Sequence, residues 1–228
     1  MLDANKKDYK NMIKILIISL ALLFFSIFIF GVILVYFFQV INVPIIIAGT
    51  LASQLSILFY GLILLGNKLS INKVINEDHS FDTLWMGIKI TIIVLLVNWI
   101  TGFIFTHDGN IPDSTQQVLN NKSFLLTFLF PVIMAPICEE FTFRAGLKRA
   151  LMDRGGFNGL MYVILSSVIF GLLHWQPASS TALAHVTLTT LMGVIYSITY
   201  LKTKSIYVSI VSHMLYNGIV VTLASFIQ

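Results

Sequence analysis

Seven apolar runs, at about 12–38, 40–66, 81–105, 123–147, 157–175, 181–201 and 205–227, take up most of this chain. Each approaches or exceeds the ~20 residues that a helix needs to cross a bilayer. With 57% hydrophobic residues, 11% charged residues and 18 phenylalanines, the chain cannot present a polar surface to water on all sides. The expected fold is all-α, a polytopic transmembrane helical bundle of about seven spans, or eight if one run is split. The first run is too long for a signal-peptide core and no small-residue cleavage site follows it, so it is expected to stay as a helix.

The formal net charge is +4, but its distribution says more than its sum. Lys6, Lys7, Lys10 and Lys14 precede the first run, and Lys68 and Lys73 follow the second. Lys148, Arg149 and Arg154 follow the fourth, and Lys202 and Lys204 the sixth. The alternate connections, at 39–44, 107–122 and 176–180, are poor in Lys and Arg. The positive-inside rule therefore predicts a multi-pass protein of the cell membrane with a cytoplasmic N-terminus, and seven spans would leave the C-terminus outside.

The polar residues inside the runs are unevenly placed. The first three carry little that looks chemical, Lys89 and Asn98 excepted, whereas the last four hold Glu139, Glu140, Arg144, His174, His185, His213 and Asn217. Glu139 and Glu140 are two of three glutamates in the chain. Acidic side chains at membrane depth are costly unless paired or facing a wet cavity, so an adjacent pair marks a functional site. Successive helical residues point about 100° apart while residues four apart share a face, so the two carboxylates should have different roles. Glu140 and Arg144, at i and i+4, suit an ion pair. Glu139 has no cation at i+4; a carboxylate in a low-dielectric cleft tends toward a raised pKa and can act as a general base.

His174 ends the run Phe170-Gly171-Leu172-Leu173-His174, so Phe170 lies one turn below it and could wall a cavity. His213 and Asn217 form a second i, i+4 pair near the middle of the last run, where two polar groups on one face need buried partners. Pro131 and Pro136 each remove a backbone donor just ahead of the glutamates and should kink the span, opening room for water or an extended peptide. His185, with only Thr181 and Thr189 as polar companions at helical spacing, is read as structural. Cys138, the one cysteine, excludes an internal disulfide and is read as a membrane-core residue rather than a nucleophile.

Glu139-Glu140-x-x-x-Arg144, Phe170-x-x-x-His174 and His213-x-x-x-Asn217, in that order on successive runs, resemble the three motifs of the CPBP family of intramembrane proteases. That family includes the CAAX prenyl endopeptidases and bacterial bacteriocin-processing and immunity (Abi-type) proteins. The resemblance covers about residues 123–226 and divides the chain into an N-terminal three-span region, 1–122, and a four-span catalytic core, 123–228. It implies peptide-bond hydrolysis within the membrane, with Glu139 and His174 activating a water and His213 and Asn217 stabilising the oxyanion. Glu140, Arg144 and Phe170 would support them. The implied partners are the lipid bilayer and a peptide or membrane-protein substrate, with no nucleic acid.

Amide hydrolysis needs a base for water, an acid for the leaving amine and donors at the developing oxyanion, and these residue types provide them. The same side chains Glu139, His174 and His213 are also the two-His-one-Glu set of catalytic zinc sites. Zinc is therefore the alternative cofactor; the resemblance favours direct glutamate catalysis without one. Counted along the helices, Glu139 and His213 lie ~14 Å from the cytoplasmic side and His174 ~25 Å from residue 157, so a shared site requires tilt or a later helix start. Two other classes compete. A proton-coupled small transporter predicts polar residues through the depth of several helices and pseudo-symmetric halves, neither of which is seen. A non-catalytic membrane scaffold with the protease fold predicts that Glu139 is dispensable.

Overall fold

The computed structural model describes residues 2–105, 123–176, 179 and 181–227. Among them all regular structure is helical. The helices are α1 (Tyr9–Val40), α2 (Ile45–Leu65), α3 (Lys68–Ile75), α4 (Phe81–Phe105), α5 (Leu125–Arg154), α6 (Gly159–Leu172), α7 (Ala182–Thr203) and α8 (Ile206–Ile227). All but α3 and α6 are long and apolar enough to cross a membrane, and α6 is a shorter apolar helix of 14 residues. The chain is a multi-pass membrane protein. The sequence-predicted outer connection at 107–122, and much of the one at 176–180, lie outside the described residues.

Capping residues explain where the helices depart from the apolar runs. Asn67 accepts a hydrogen bond from the Ser70 backbone at 2.9 Å and starts α3 inside the polar connection 67–80. Asn158 does the same for Met161 at 2.9 Å, so α6 starts at Gly159 rather than 157. α5 continues beyond the apolar run to Arg154, carrying Lys148 and Arg149 on the helix rather than in a loop. Nothing in that stretch breaks a helix until Gly155 and Gly156, the latter at φ 74°.

The residues form two compact units. The first comprises 1–76 and 138–162. In it α2 and the second half of α5 pack backbone to backbone: a Cβ on Gly146 would stand 3.2 Å from the Gly61 carbonyl oxygen, and one on Gly61 would collide with Thr142. Small residues permit such close approach, which drives helix association in lipid. The Thr142 hydroxyl donates to the Ile57 carbonyl at 2.8 Å across this contact. At the C-terminal end of α2, Arg149 Nε and Arg154 Nη2 both donate to the Leu65 carbonyl, at 3.1 and 3.0 Å, placing two cations at the negative end of the helix dipole.

The second unit comprises 77–137 and 163–228. Its core gathers Val94 of α4, Leu188, Met192 and Tyr196 of α7 and Tyr216 of α8. Val94 is fully buried while its neighbour Ile93 is 47% exposed, as expected of a helix with one face on protein and the other on lipid. α4 approaches α8 at Gly87, where a Cβ would lie 2.8 Å from Val211 Cγ1. Thr91 Oγ1 donates to the Gly87 carbonyl at 2.9 Å and reaches the Ser212 carbonyl at 3.3 Å. The connection before α4 is fastened to the α7–α8 turn: Glu77 accepts from the Tyr200 hydroxyl at 2.9 Å and from the Ile206 N–H at 2.7 Å. The Ser205 hydroxyl donates to the Asp78 carbonyl in the same place.

Candidate active site

Two prolines five residues apart precede the glutamates along α5. Leu125–Met134 winds in π-type turns with Pro131 inside them. At their end the Ala135 N–H donates to the Phe130 carbonyl, five residues back. The wider turn is how α5 accommodates Pro131 without a helix break, and such turns recur at functional sites. Ala135–Glu140 is regular α-helix, and π-type turns resume over Phe141–Gly146.

Glu140 and Arg144 occupy the first unit and are bound to each other. Arg144 Nε donates to Glu140 Oε2 at 2.7 Å and Nη2 to Oε1 at 3.3 Å. Both side chains are fully excluded from solvent. Ion pairs of this fork geometry are the ones that tolerate burial. The Tyr162 hydroxyl donates toward the carbonyls of Phe143 and Arg144, at 3.3 and 3.2 Å, holding the same turn from α6. Glu139, on the neighbouring face, is buried too, at 7% exposure, as is the free thiol of Cys138.

His174, His213 and Phe170 meet in the second unit. The Phe170 ring, 1% exposed, lies between the two histidines, 4.7 Å from the His174 centroid and 6.2 Å, edge-on, from that of His213. His174 follows the last turn of α6, and its Nδ1 bonds the Phe170 carbonyl at 2.8 Å. A carbonyl only accepts, so Nδ1 carries the proton and the lone pair of the neutral ring is on Nε2. His213 is buried and stacks on Tyr196, centroids 5.4 Å apart and planes 29° apart. One turn along α8, Asn217 Nδ2 donates to the Pro131 carbonyl at 2.7 Å. That contact fixes which way the amide faces and leaves the second N–H of the group to another acceptor.

The sequence reading missed one neighbour. His185, read as structural, lies in the second unit with its ring 5.8 Å from His174 in a T-shaped contact. Its Nδ1 is buried without a hydrogen-bond partner among the described residues. Only its eleven-residue distance from His174 across a short connection hints at this. Among the described residues no group of three or more His, Cys, Asp and Glu side chains is gathered to hold a metal ion.

Comparison with known proteins falls on the region that holds these groups. Residues 121–219 match the family model described as Type II CAAX prenyl endopeptidase Rce1-like. A Bacillus subtilis protein named as a candidate membrane peptidase, YdiL, is 33% identical over 114 residues, 50% of this chain and 43% of that protein. The membrane-embedded CAAX protease MroQ of Staphylococcus aureus is 24% identical over 163 residues, 68% of this chain and 63% of its own length. The chain thus spans less than two thirds of either curated relative. No solved structure matches it. The motif-bearing stretch, residues 121–219, is thus similar to the Rce1-like type II CAAX prenyl endopeptidases, over 99 of the chain's 228 residues.

Proposed function

We propose that the protein is an intramembrane endopeptidase that cleaves a membrane-associated peptide or protein with water activated by Glu139 and His174, without a metal. Glu139 takes a proton from the water as its oxygen bonds to the scissile carbonyl carbon, and the carbonyl electrons move onto oxygen. His213 and the second N–H of Asn217 donate hydrogen bonds to that oxyanion. Collapse breaks the C–N bond, the amine leaves with the proton passed on by Glu139 or His174, and the products are a carboxylate and an amine.

One observation carries this reading: two histidines separated by 39 positions in sequence converge on a single buried ring, Phe170, inside the stretch that matches a peptidase family. The Nδ1–H tautomer of His174 supports it, because it leaves Nε2 as a base or hydrogen-bond acceptor. The names of both curated relatives, a membrane peptidase and a CAAX protease, point the same way. The lysine distribution supports a cytoplasmic N-terminus. Peptide maturation, signalling or bacteriocin processing and immunity are the settings such an activity would serve.

Mass spectrometry of the membrane peptidome tests the proposal and finds the substrate. Cells with wild-type protein should contain cleavage products that are missing from cells with Glu139→Gln at equal protein level. Identical peptidomes would contradict it.

A further inference from the structure

The hydrogen bond between Asn217 and Pro131 has a cause five residues downstream of its acceptor. In an α-helical turn the Pro131 carbonyl would receive the N–H of residue 135, and in a π-type turn that of residue 136. The Ala135 N–H is committed to the Phe130 carbonyl. Residue 136 is a proline and has no N–H. Both main-chain donors are therefore lost at one carbonyl, and a polar backbone group inside an apolar unit must find another. Asn217 supplies it at 2.7 Å, from a part of α8 that passes close to α5: a Cβ added at Gly218 would lie 3.5 Å from Val132 Cγ1.

We infer that Pro136 is a positioning residue: by withholding the main-chain donor from the Pro131 carbonyl, it reserves that carbonyl as the anchor that orients the Asn217 amide. The anchor holds one N–H of Asn217 and thereby sets the direction of the other in the plane of the amide. A free asparagine side chain on α8 could turn about its terminal torsion, whereas an anchored one presents a single donor geometry. The role in turnover rests on the proposed oxyanion function of Asn217; the anchor itself does not.

The test combines thermal unfolding of purified protein in detergent with turnover of a cleaved peptide, for Pro136→Ala, Asn217→Ala and the double variant. Asn217→Ala should lower the unfolding midpoint, because it strands the Pro131 carbonyl. Pro136→Ala restores an N–H at the position a π-type turn requires, so adding it to Asn217→Ala should recover much of that loss. In the wild-type background it should raise the midpoint far less. Pro136→Ala alone should lower kcat about tenfold or more with KM nearly unchanged, since a displaced donor fails mainly in the transition state. An equal shift of the midpoint in both backgrounds, or an unchanged kcat in an otherwise active protein, would overturn the inference. Rescue of the midpoint in a protein that cleaves nothing would uphold the anchor while removing the proposed peptidase reading.

Discussion

Arg144 and Glu140 form a two-pronged ion pair, 2.7 Å at its shorter arm, with neither side chain in contact with solvent. Breaking such a pair leaves a buried charge alone, which costs about 3–5 kcal/mol. Arg144→Ala and Glu140→Gln are therefore expected to lower the thermal midpoint and the yield of inserted protein. The double replacement Glu140→Met with Arg144→Met should cost less than Arg144→Ala, because it removes both charges together. Thermal unfolding in detergent checks this; a harmless Arg144→Ala would show that the pair does not hold the α5 turn.

Asn217 and His213 share one face of α8. As oxyanion donors they should act on the transition state, and loss of one donor typically lowers turnover ~10²–10³-fold with little change in substrate binding. Steady-state kinetics of Asn217→Ala and His213→Ala should therefore show the loss in kcat rather than KM. The double variant should lose less than the product of the two single effects, as groups that act as a unit do. Weaker binding at unchanged kcat would move these residues to substrate recognition.

Turnover is expected to survive exhaustive chelation. Elemental analysis of the purified active protein should find zinc well below one ion per chain. Stoichiometric zinc that is removed and restored together with activity would replace the glutamate mechanism with a metal-bound water, held at about 2.0–2.2 Å by His nitrogen and Glu oxygen.

The Asp78 carboxylate, which braces the start of α4 through Ser80 and Thr83, should make that turn acid-sensitive. Hydrogen bonds from Thr83, at 2.6 Å, and from Ser80 hold the Asp78 carboxyl below its ordinary pKa of 3.8. A depressed carboxylate stabilises the fold above its unfolded pKa and loses that contribution as pH falls through the folded value. The wild-type midpoint should thus drop below about pH 4, and Asp78→Asn should flatten that limb in a pH series of thermal scans. Tyr200→Phe, which removes a donor to Glu77, should lower the midpoint at all pH values.

Hydropathy located the helices because lipid requires apolar residues over a whole span, yet it could not say which segments pack together. That residues 138–162 lie with 1–76 depends on Gly61 and Gly146 meeting, and glycines 85 residues apart on different helices do not announce their partners. The run 157–175 overstated α6, since Leu173 and Trp175 are apolar but lie beyond the helix end, and Asn158 caps its start. Among the candidate residues, the Glu140–Arg144 pair was legible because i, i+4 spacing dictates it. The convergence of His174 and His213 on Phe170 was legible only through motif resemblance. Pro131 and Pro136 read as a kink; that the N–H missing at Pro136 would be answered at the Pro131 carbonyl by Asn217 needed the crossing of α5 and α8.

The central claim is that Glu139 activates the water. Its most direct test is turnover of a peptide identified from the membrane peptidome, measured with purified protein in liposomes for the wild type and Glu139→Gln. Glutamine keeps the size and hydrogen-bonding reach of glutamate but cannot take up a proton at neutral pH. The account predicts a Glu139→Gln protein with wild-type insertion and a thermal midpoint close to wild type, and with turnover reduced to background. Full turnover by that variant would contradict it.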